Sequence, residues 1–105
     1  GVRLGDETVI AVDAVAISTP MVARTDPFVR IGIEPTTHPA GAFIETDAMC
    51  ATSVPGVWAA GNSSNIGAQL GASAAAGALA AQAINTDLVM KDLDRAVAEA
   101  TGRPE

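Results

Sequence analysis

The fold of this chain is decided by one stretch, Val57-Trp58-Ala59-Ala60-Gly61-Asn62-Ser63-Ser64-Asn65-Ile66. Its four apolar residues, 57–60, predict a short strand, and the Asn and Ser residues after Gly61 offer side chains that cap a helix. Gly61 lets a ligand approach the backbone closely, and Asn62 carries both a donor and an acceptor. The pattern is consistent with a polar-ligand site and equally with an ordinary strand-to-helix turn.

The surrounding residues, 48–86, include no Asp, Glu, Lys or Arg in 39 positions. At ordinary composition about ten charges would fall in this length. The whole chain of 105 residues is 49% hydrophobic and 17% charged, with a formal net charge of −6. We therefore expect residues 48–86 to face protein, a cofactor or a partner, and not water.

A helix of small residues is predicted over 66–84, which holds nine Ala and three Gly in 19 positions. A membrane span has this length, but alanine contributes little to insertion, and Gln69, Ser73 and Gln82 are polar. We interpret the segment as a helix packed so closely on a sheet or a ligand that large side chains would clash. Asn85-Thr86-Asp87 then ends it or caps a second, amphipathic helix.

The remaining elements follow from β-branched runs and turn residues. Gly1 to Ile17 predicts a β-hairpin with its turn at Gly5-Asp6-Glu7 and an extended continuation over Ala14 to Ile17. Further predictions are a helical turn near Phe28 to Ile31, a loop over Pro35 to Gly41 and a strand over Phe43 to Asp47.

Composition excludes several classes of protein. Six basic residues are scattered singly in an acidic chain, so a nucleic-acid binder is not expected. Cys50 is the only cysteine, which leaves no disulfide or zinc cluster, and we predict no metal site. No secretory signal opens the sequence, so we expect a cytoplasmic protein. Because the chain starts at Gly1 in what reads as a strand, we also expect a fragment or a processed piece.

Five other residues are given structural interpretations. Cys50 is expected to be an inert thiol, and His38 an ordinary loop histidine. Trp58 is expected in the core. Glu45 and Asp47 alternate on one strand face and are expected to be solvated. We therefore predict no catalytic residue in this chain.

Residues 52–62, Thr-Ser-Val-Pro-Gly-Val-Trp-Ala-Ala-Gly-Asn, resemble a signature near the C-terminus of the flavin-dependent pyridine-nucleotide disulfide oxidoreductases. The thioredoxin reductase-like branch is the most similar. The Ala/Gly helix, with Gln69 near its start, also resembles the family. Residues 12–17 resemble its return from the nicotinamide-binding domain to the flavin domain.

This resemblance implies an α/β fold, specifically part of a three-layer, Rossmann-like FAD/NAD(P)-binding fold. The chain would supply a β-hairpin, the last strand and the C-terminal helices. Residues 1–20 would end the nicotinamide-binding domain and carry the return strand, and residues 21–105 would form the C-terminal part of the FAD-binding domain. The cofactor-binding residues implied are Gly61, Asn62, Ala68, Gln69 and Leu70.

The implied function is that of an FAD-dependent NAD(P)H oxidoreductase, to which this chain contributes the element that contacts FAD. No G-x-G-x-x-G follows a strand here, so other sequence must bind the FAD pyrophosphate and most of the NAD(P)H. Alone the chain is expected to be inactive. Its expected partners are the rest of the flavoprotein and a second copy in a homodimer, with no nucleic acid or membrane. The alternative is a non-catalytic module whose apolar helix binds a partner chain or a small ligand.

Overall fold

The computed structural model of this chain describes residues 1–102, so the end of the predicted second domain, 103–105, lies outside the described residues. Strand β1 (Val2–Arg3) pairs antiparallel with β2 (Val9–Ile10), which confirms the predicted hairpin. Its turn is closed by the Leu4 N–H, which donates to the Thr8 carbonyl at 2.8 Å. The backbone N–H of Thr8 donates to the Asp6 carboxylate, and this bond lowers the pKa of Asp6.

The residues after the hairpin, 11–20, are exposed and belong to no ladder. The predicted continuation over Ala14–Ile17 therefore pairs with no other described strand. A strand gains its stability from cross-strand neighbours, and none of the described residues supplies them here.

A three-stranded sheet follows, formed by β3 (Met21–Val22), β4 (Thr36–His38) and β5 (Gly41–Phe43). The order is β3-β5-β4, with β3 parallel and β4 antiparallel to β5. The loop predicted over 35–41 thus contains strand β4. The strand predicted over 43–47 is observed instead as β5, at 41–43. Gly41 permits strand pairing at this earlier position. Its φ is 147°, and a Cβ there would overlap the Met21 carbonyl oxygen, so only glycine lets β3 pair with β5.

A 3-10 helix spans Asp26–Ile31 and confirms the predicted helical turn. Thr25 and Ile33, which flank it, are 6% and 4% exposed. Together with Cys50, Gly61 and Ala80 they are the buried residues of the described chain. These residues are few, and no side chain among the described residues is fully buried.

Residues 47–60 form an irregular hairpin in place of the predicted strand over 57–60. Trp58 pairs with Ala51 in an isolated bridge, and the Ala59 N–H donates to the Cys50 carbonyl. At the tip, the Val57 N–H donates to the Val54 carbonyl at 3.1 Å, which closes the Pro-Gly turn. The strand is not extended further because its other edge has no ladder partner among residues 1–102.

A short 3-10 turn at Gly61–Ser63, called the Gly61 turn below, leads to helix α1, which spans Leu70–Thr101. The helix begins four residues later than predicted because the Asn65 side chain accepts the Gly67 N–H, and the Asn65 carbonyl accepts the Ala68 N–H. Both bonds hold residues 65–68 in local turns. The predicted capping of the helix by residues 62–65 is therefore wrong: Gln69 is the N-cap, without a side-chain cap bond.

The predicted end of the helix at residues 85–87 is also wrong, and one C-terminal helix replaces two. No Gly or Pro occurs between positions 78 and 101, so nothing in this segment breaks the hydrogen-bond ladder. The Thr86 hydroxyl donates to the Gln82 carbonyl at 3.0 Å, and Lys91 forms an ion pair with Asp87 at 2.7 Å. These contacts lie within a continuous helix.

The result is an extended mixed α/β molecule with small sheets and a projecting helix. The molecule measures 79 × 29 × 19 Å, and its radius of gyration is 21.5 Å, against about 13 Å for a compact domain of this length. Its accessible surface is 8135 Å², roughly 2,700 Å² more than a compact domain of this mass exposes. A complete three-layer architecture remains a prediction.

Candidate functional site

The site predicted from sequence centres on Gly61, where two elements touch. Gly61 is buried and has φ of 77°, in the left-handed region. A Cβ at this position would lie 3.3 Å from the Ser73 Cβ, in the first turn of α1. Only glycine combines this backbone conformation with such a close approach. The structure thus brings the Gly61 turn and the start of α1 together, although eight residues separate Gly61 from Leu70.

Hydrogen bonds around the Gly61 carbonyl shape the loop that follows. This oxygen accepts the Asn65 N–H at 2.9 Å and the Ser64 N–H at 3.2 Å. The Ser63 hydroxyl donates to the Ala60 carbonyl at 2.9 Å. The Ser63 carbonyl in turn accepts the Ile44 N–H at 2.7 Å, which ties the loop to the end of β5. The loop is therefore held by its own polar groups and by the sheet.

Asn62 differs from its neighbours in this loop. Its side chain is exposed, and its amide makes no hydrogen bond to residues 1–102. An unengaged amide beside a closely packed glycine can donate to and accept from a hydroxyl or a carbonyl of a ligand. It lines a cleft of about 360 Å³ together with Ser63 and the segment Met21–Arg24.

The other predicted cofactor-binding residues lie at the start of α1. Gln69 is exposed, and Leu70 is 88% exposed. The first backbone N–H bonded back into α1 is that of Ser73, which donates to the Gln69 carbonyl at 2.8 Å. The preceding N–H groups of the first turn carry the positive end of the helix dipole. Ala68 is half-buried and its N–H is already bonded to the Asn65 carbonyl.

The five predicted residues therefore form two neighbouring groups. Gly61 and Asn62 belong to the Gly61 turn, whereas Ala68, Gln69 and Leu70 precede or begin α1. The contact between Gly61 and Ser73 links the groups, but Gln69 and Leu70 do not line the cleft that holds Asn62.

Cys50, Trp58 and His38, which were expected to have structural roles, lie in three different environments. Cys50 is buried, adopts a left-handed φ of 65°, and places its Sγ 3.7 Å from the Ala76 carbonyl of α1. Trp58 is half-buried. His38 lies on β4 and not in a loop; its Nδ1 accepts the Ala40 N–H at 3.1 Å, and its ring meets the edge of Phe43.

Asp47 is exposed, as predicted, although it lies beyond the end of β5 and not on a strand face. Its Oδ1 accepts the backbone N–H groups of Met49 and Ala51, both at 2.8 Å. Those bonds hold the turn in which Cys50 takes its left-handed conformation. Glu45 is also exposed and has a single long contact from the Thr36 hydroxyl at 3.5 Å.

Sequence reasoning missed Arg24. The residue borders the cleft that contains Asn62 and also an apolar cleft of about 260 Å³ whose walls include Phe28 and Trp58. A single arginine in an irregular connecting segment carries no motif, so only the fold reveals its position. Within residues 1–102 no three His, Cys, Asp or Glu side chains are grouped to hold a metal ion. Over the same residues, no helix is both long and apolar enough to span a bilayer.

Comparison with known proteins identifies no relative. No protein-family model, curated protein or solved structure matches this chain.

Proposed function

We propose that this chain is the C-terminal segment of an FAD-dependent NAD(P)H oxidoreductase that resembles thioredoxin reductase. The observation that carries the proposal is that Gly61 packs closely against Ser73 in the first turn of α1 and is followed directly by Asn62, whose exposed amide is unengaged among residues 1–102. The resemblance of residues 52–62 to the family signature supports the same assignment.

The available donors fit one side of a flavin dinucleotide. Asn62 would hydrogen-bond a ribityl hydroxyl, with no charge added. Gln69 and the backbone N–H of Leu70 would lie beside the pyrimidine end of the ring system. When bound, FAD would accept a hydride from NAD(P)H, and negative charge would develop at that end of the ring. The N–H groups and dipole at the start of α1 favour negative charge there.

The small side chains of α1 support this assignment as well. Gly71 has no heavy atom near the position of a Cβ, so the first turn leaves open space on that side. A planar ring can approach a helix surface of Ala and Gly more closely than one of Leu or Ile.

The exposed apolar surface supports the proposal that further sequence completes the protein. Large hydrophobic side chains are exposed along β2, β3 and much of α1. An excess of roughly 2,700 Å² over a compact domain is larger than the surface that one partner buries in a standard protein–protein interface. The rest of the flavoprotein would cover this surface, and a homodimer in the cytoplasm remains part of the proposal.

A second candidate function is supported by the distal part of α1. Leu88, Val89, Leu93 and Val97 are each 53–55% exposed. A non-catalytic module that binds a partner chain through this helix would present such a surface.

The test uses the complete gene product that contains this chain. We expect it to purify with bound FAD, recognised by its absorbance spectrum and by mass spectrometry of the released cofactor. Asn62→Leu should weaken FAD retention by about tenfold, because a hydrogen bond from the amide is lost. Gln82→Leu is the matched control, since it removes an exposed amide in the interior of α1 and should leave FAD occupancy unchanged.

Two results would count against these assignments. A complete gene product with neither a flavin spectrum nor a glycine-rich FAD fingerprint would exclude the oxidoreductase and favour the partner-binding module. Unchanged FAD occupancy in the Asn62→Leu protein would exclude the role of Asn62 but not the oxidoreductase assignment.

A further inference from the structure

Arg24 lies where two clefts meet. It lies two positions after the end of β3, and the intervening residue is fixed by the Ala23 N–H, which donates to the Ala42 carbonyl at 2.8 Å. On one side Arg24 borders the cleft of about 360 Å³ that contains Asn62 and Ser63. On the other side it borders the apolar cleft that contains Trp58.

The charge of Arg24 is not compensated by any described residue. Arg3, Lys91 and Arg95 each form an ion pair with a carboxylate three or four positions away, whereas Arg24 has no ion pair within residues 1–102. Neither of the two clefts that it borders has an acidic side chain in its lining. In a chain with a formal net charge of −6, an unpaired cation beside these clefts favours an anionic ligand there.

We propose that Arg24 binds a phosphate group of the dinucleotide whose ribityl chain contacts Asn62. This inference rests on the proposed function, and it adds one charged contact from this chain to phosphates whose main binding loop, the glycine-rich one, lies in other sequence. A planar guanidinium donates two parallel N–H bonds to phosphate oxygens, which an uncharged amide cannot replace. In FAD the phosphates follow directly after the ribityl chain, so Asn62 and Arg24 would contact consecutive parts of one ligand.

The experiment compares FAD with riboflavin, which has the same ring system and ribityl chain but no phosphate. Affinities are measured by quenching of flavin fluorescence in the apo form of the complete gene product. Arg24→Gln should weaken FAD binding by about tenfold and leave riboflavin binding unchanged. The variant should also make FAD affinity less sensitive to salt, because a charged contact is removed. Arg24→Lys should show an intermediate loss.

Arg30→Gln provides the matched control. Arg30 lies six residues further on, has no ion pair within residues 1–102 and borders neither cleft, so the same charge change there should alter neither affinity. An equal loss of FAD and riboflavin binding in Arg24→Gln would assign the residue a structural role and overturn the proposal. So would unchanged FAD affinity.

Failure of the proposed function gives a different result, since the unaltered protein would then bind neither flavin. In that case inorganic pyrophosphate is added and the NMR signal of the Arg24 Nε–H group is followed. The signal is assigned to Arg24 by its absence in Arg24→Gln. A saturable shift of this signal with pyrophosphate supports the anion-binding role of Arg24, and the absence of a shift overturns it.

Discussion

The two parts of helix α1 differ in what surrounds them. The proximal part, residues 70–80, contacts the Gly61 turn and includes the buried Ala80. The distal part, residues 81–101, is exposed at nearly every position, with only Ala83, Asp87 and Ala98 half-buried. Yet the proximal part carries the small side chains and the distal part carries most of the large apolar ones.

The two parts thus differ both in side-chain size and in their contacts. In the proximal part Ser73 is small where the Gly61 backbone approaches closely, whereas Gly71 and Gly77 meet open space among the described residues. In the distal part the large apolar side chains are exposed, and the described residues do not cover them. The distal surface is therefore expected to pack against polypeptide outside this chain.

The largest expected effect concerns Leu93 in the distal part. Leu93 is 53% exposed, so Leu93→Ala should change the unfolding free energy of the isolated chain by less than about 0.5 kcal/mol. In the complete gene product, where a partner surface would bury the side chain, the same change should cost about 3 kcal/mol. Urea unfolding monitored by circular dichroism measures both values.

Leu79→Ala is the control for this prediction. Leu79 is half-buried within the proximal part, so its truncation should destabilise the isolated chain by about 1 kcal/mol. The contrary result is that Leu93→Ala changes the unfolding free energy of the complete protein as little as that of the isolated chain. That result would show that no partner surface covers the distal part.

A smaller effect is expected for Gly61 in the proximal contact. Gly61→Ala should destabilise the isolated chain by about 2 kcal/mol, because its φ of 77° disfavours a side chain and the Cβ would crowd Ser73. Unfolding followed by Trp58 fluorescence reports the change. Gly71→Ala, which meets open space in α1, should instead stabilise the chain by up to about 1 kcal/mol. Equal effects of the two substitutions would contradict the close contact at Gly61.

The smallest effect concerns the ion pair of Lys91 with Asp87 in the distal part. Its ammonium and carboxylate lie 2.7 Å apart, and the Lys91 side chain is 63% exposed. Lys91→Ala should therefore cost only about 0.4 kcal/mol of helix stability, and high salt should abolish the difference. Thermal melts at low and high salt provide the measurement. A cost that persists in high salt would indicate that the Lys91 stem packs against other residues.

Local sequence signals predicted part of the fold correctly. The hairpin of β1 and β2, the helical turn near Phe28–Ile31 and the existence of a helix through residues 70–84 all follow from β-branched runs, turn residues and helix propensity. The boundaries of α1 were wrong because they depend on competition between local bonds. Asn65 holds a turn before the helix, and the polar residues 85–87 fit within its ladder.

The sequence proposes residues for the candidate site but not their arrangement, and the ligand role of those residues stays a prediction. Gly61 and Asn62 stand out in the sequence because Gly and Asn are the residues that special backbone and ligand contacts require. The backbone hydrogen bonds of Asp47 were not predicted, because an exposed carboxylate that accepts them has the same sequence pattern as one that contacts only water.

The sequence by itself determined which segments form local turns, which favour a helix and which lack charge, since these properties depend on residues close along the chain. Only the tertiary structure decided that Gly61 touches Ser73, that Gly41 admits Met21 and that Arg24 borders the cleft of Asn62. These are contacts between residues 12 to 38 positions apart. They depend on how turns and strand pairing direct the chain, and neither composition nor periodicity encodes that direction.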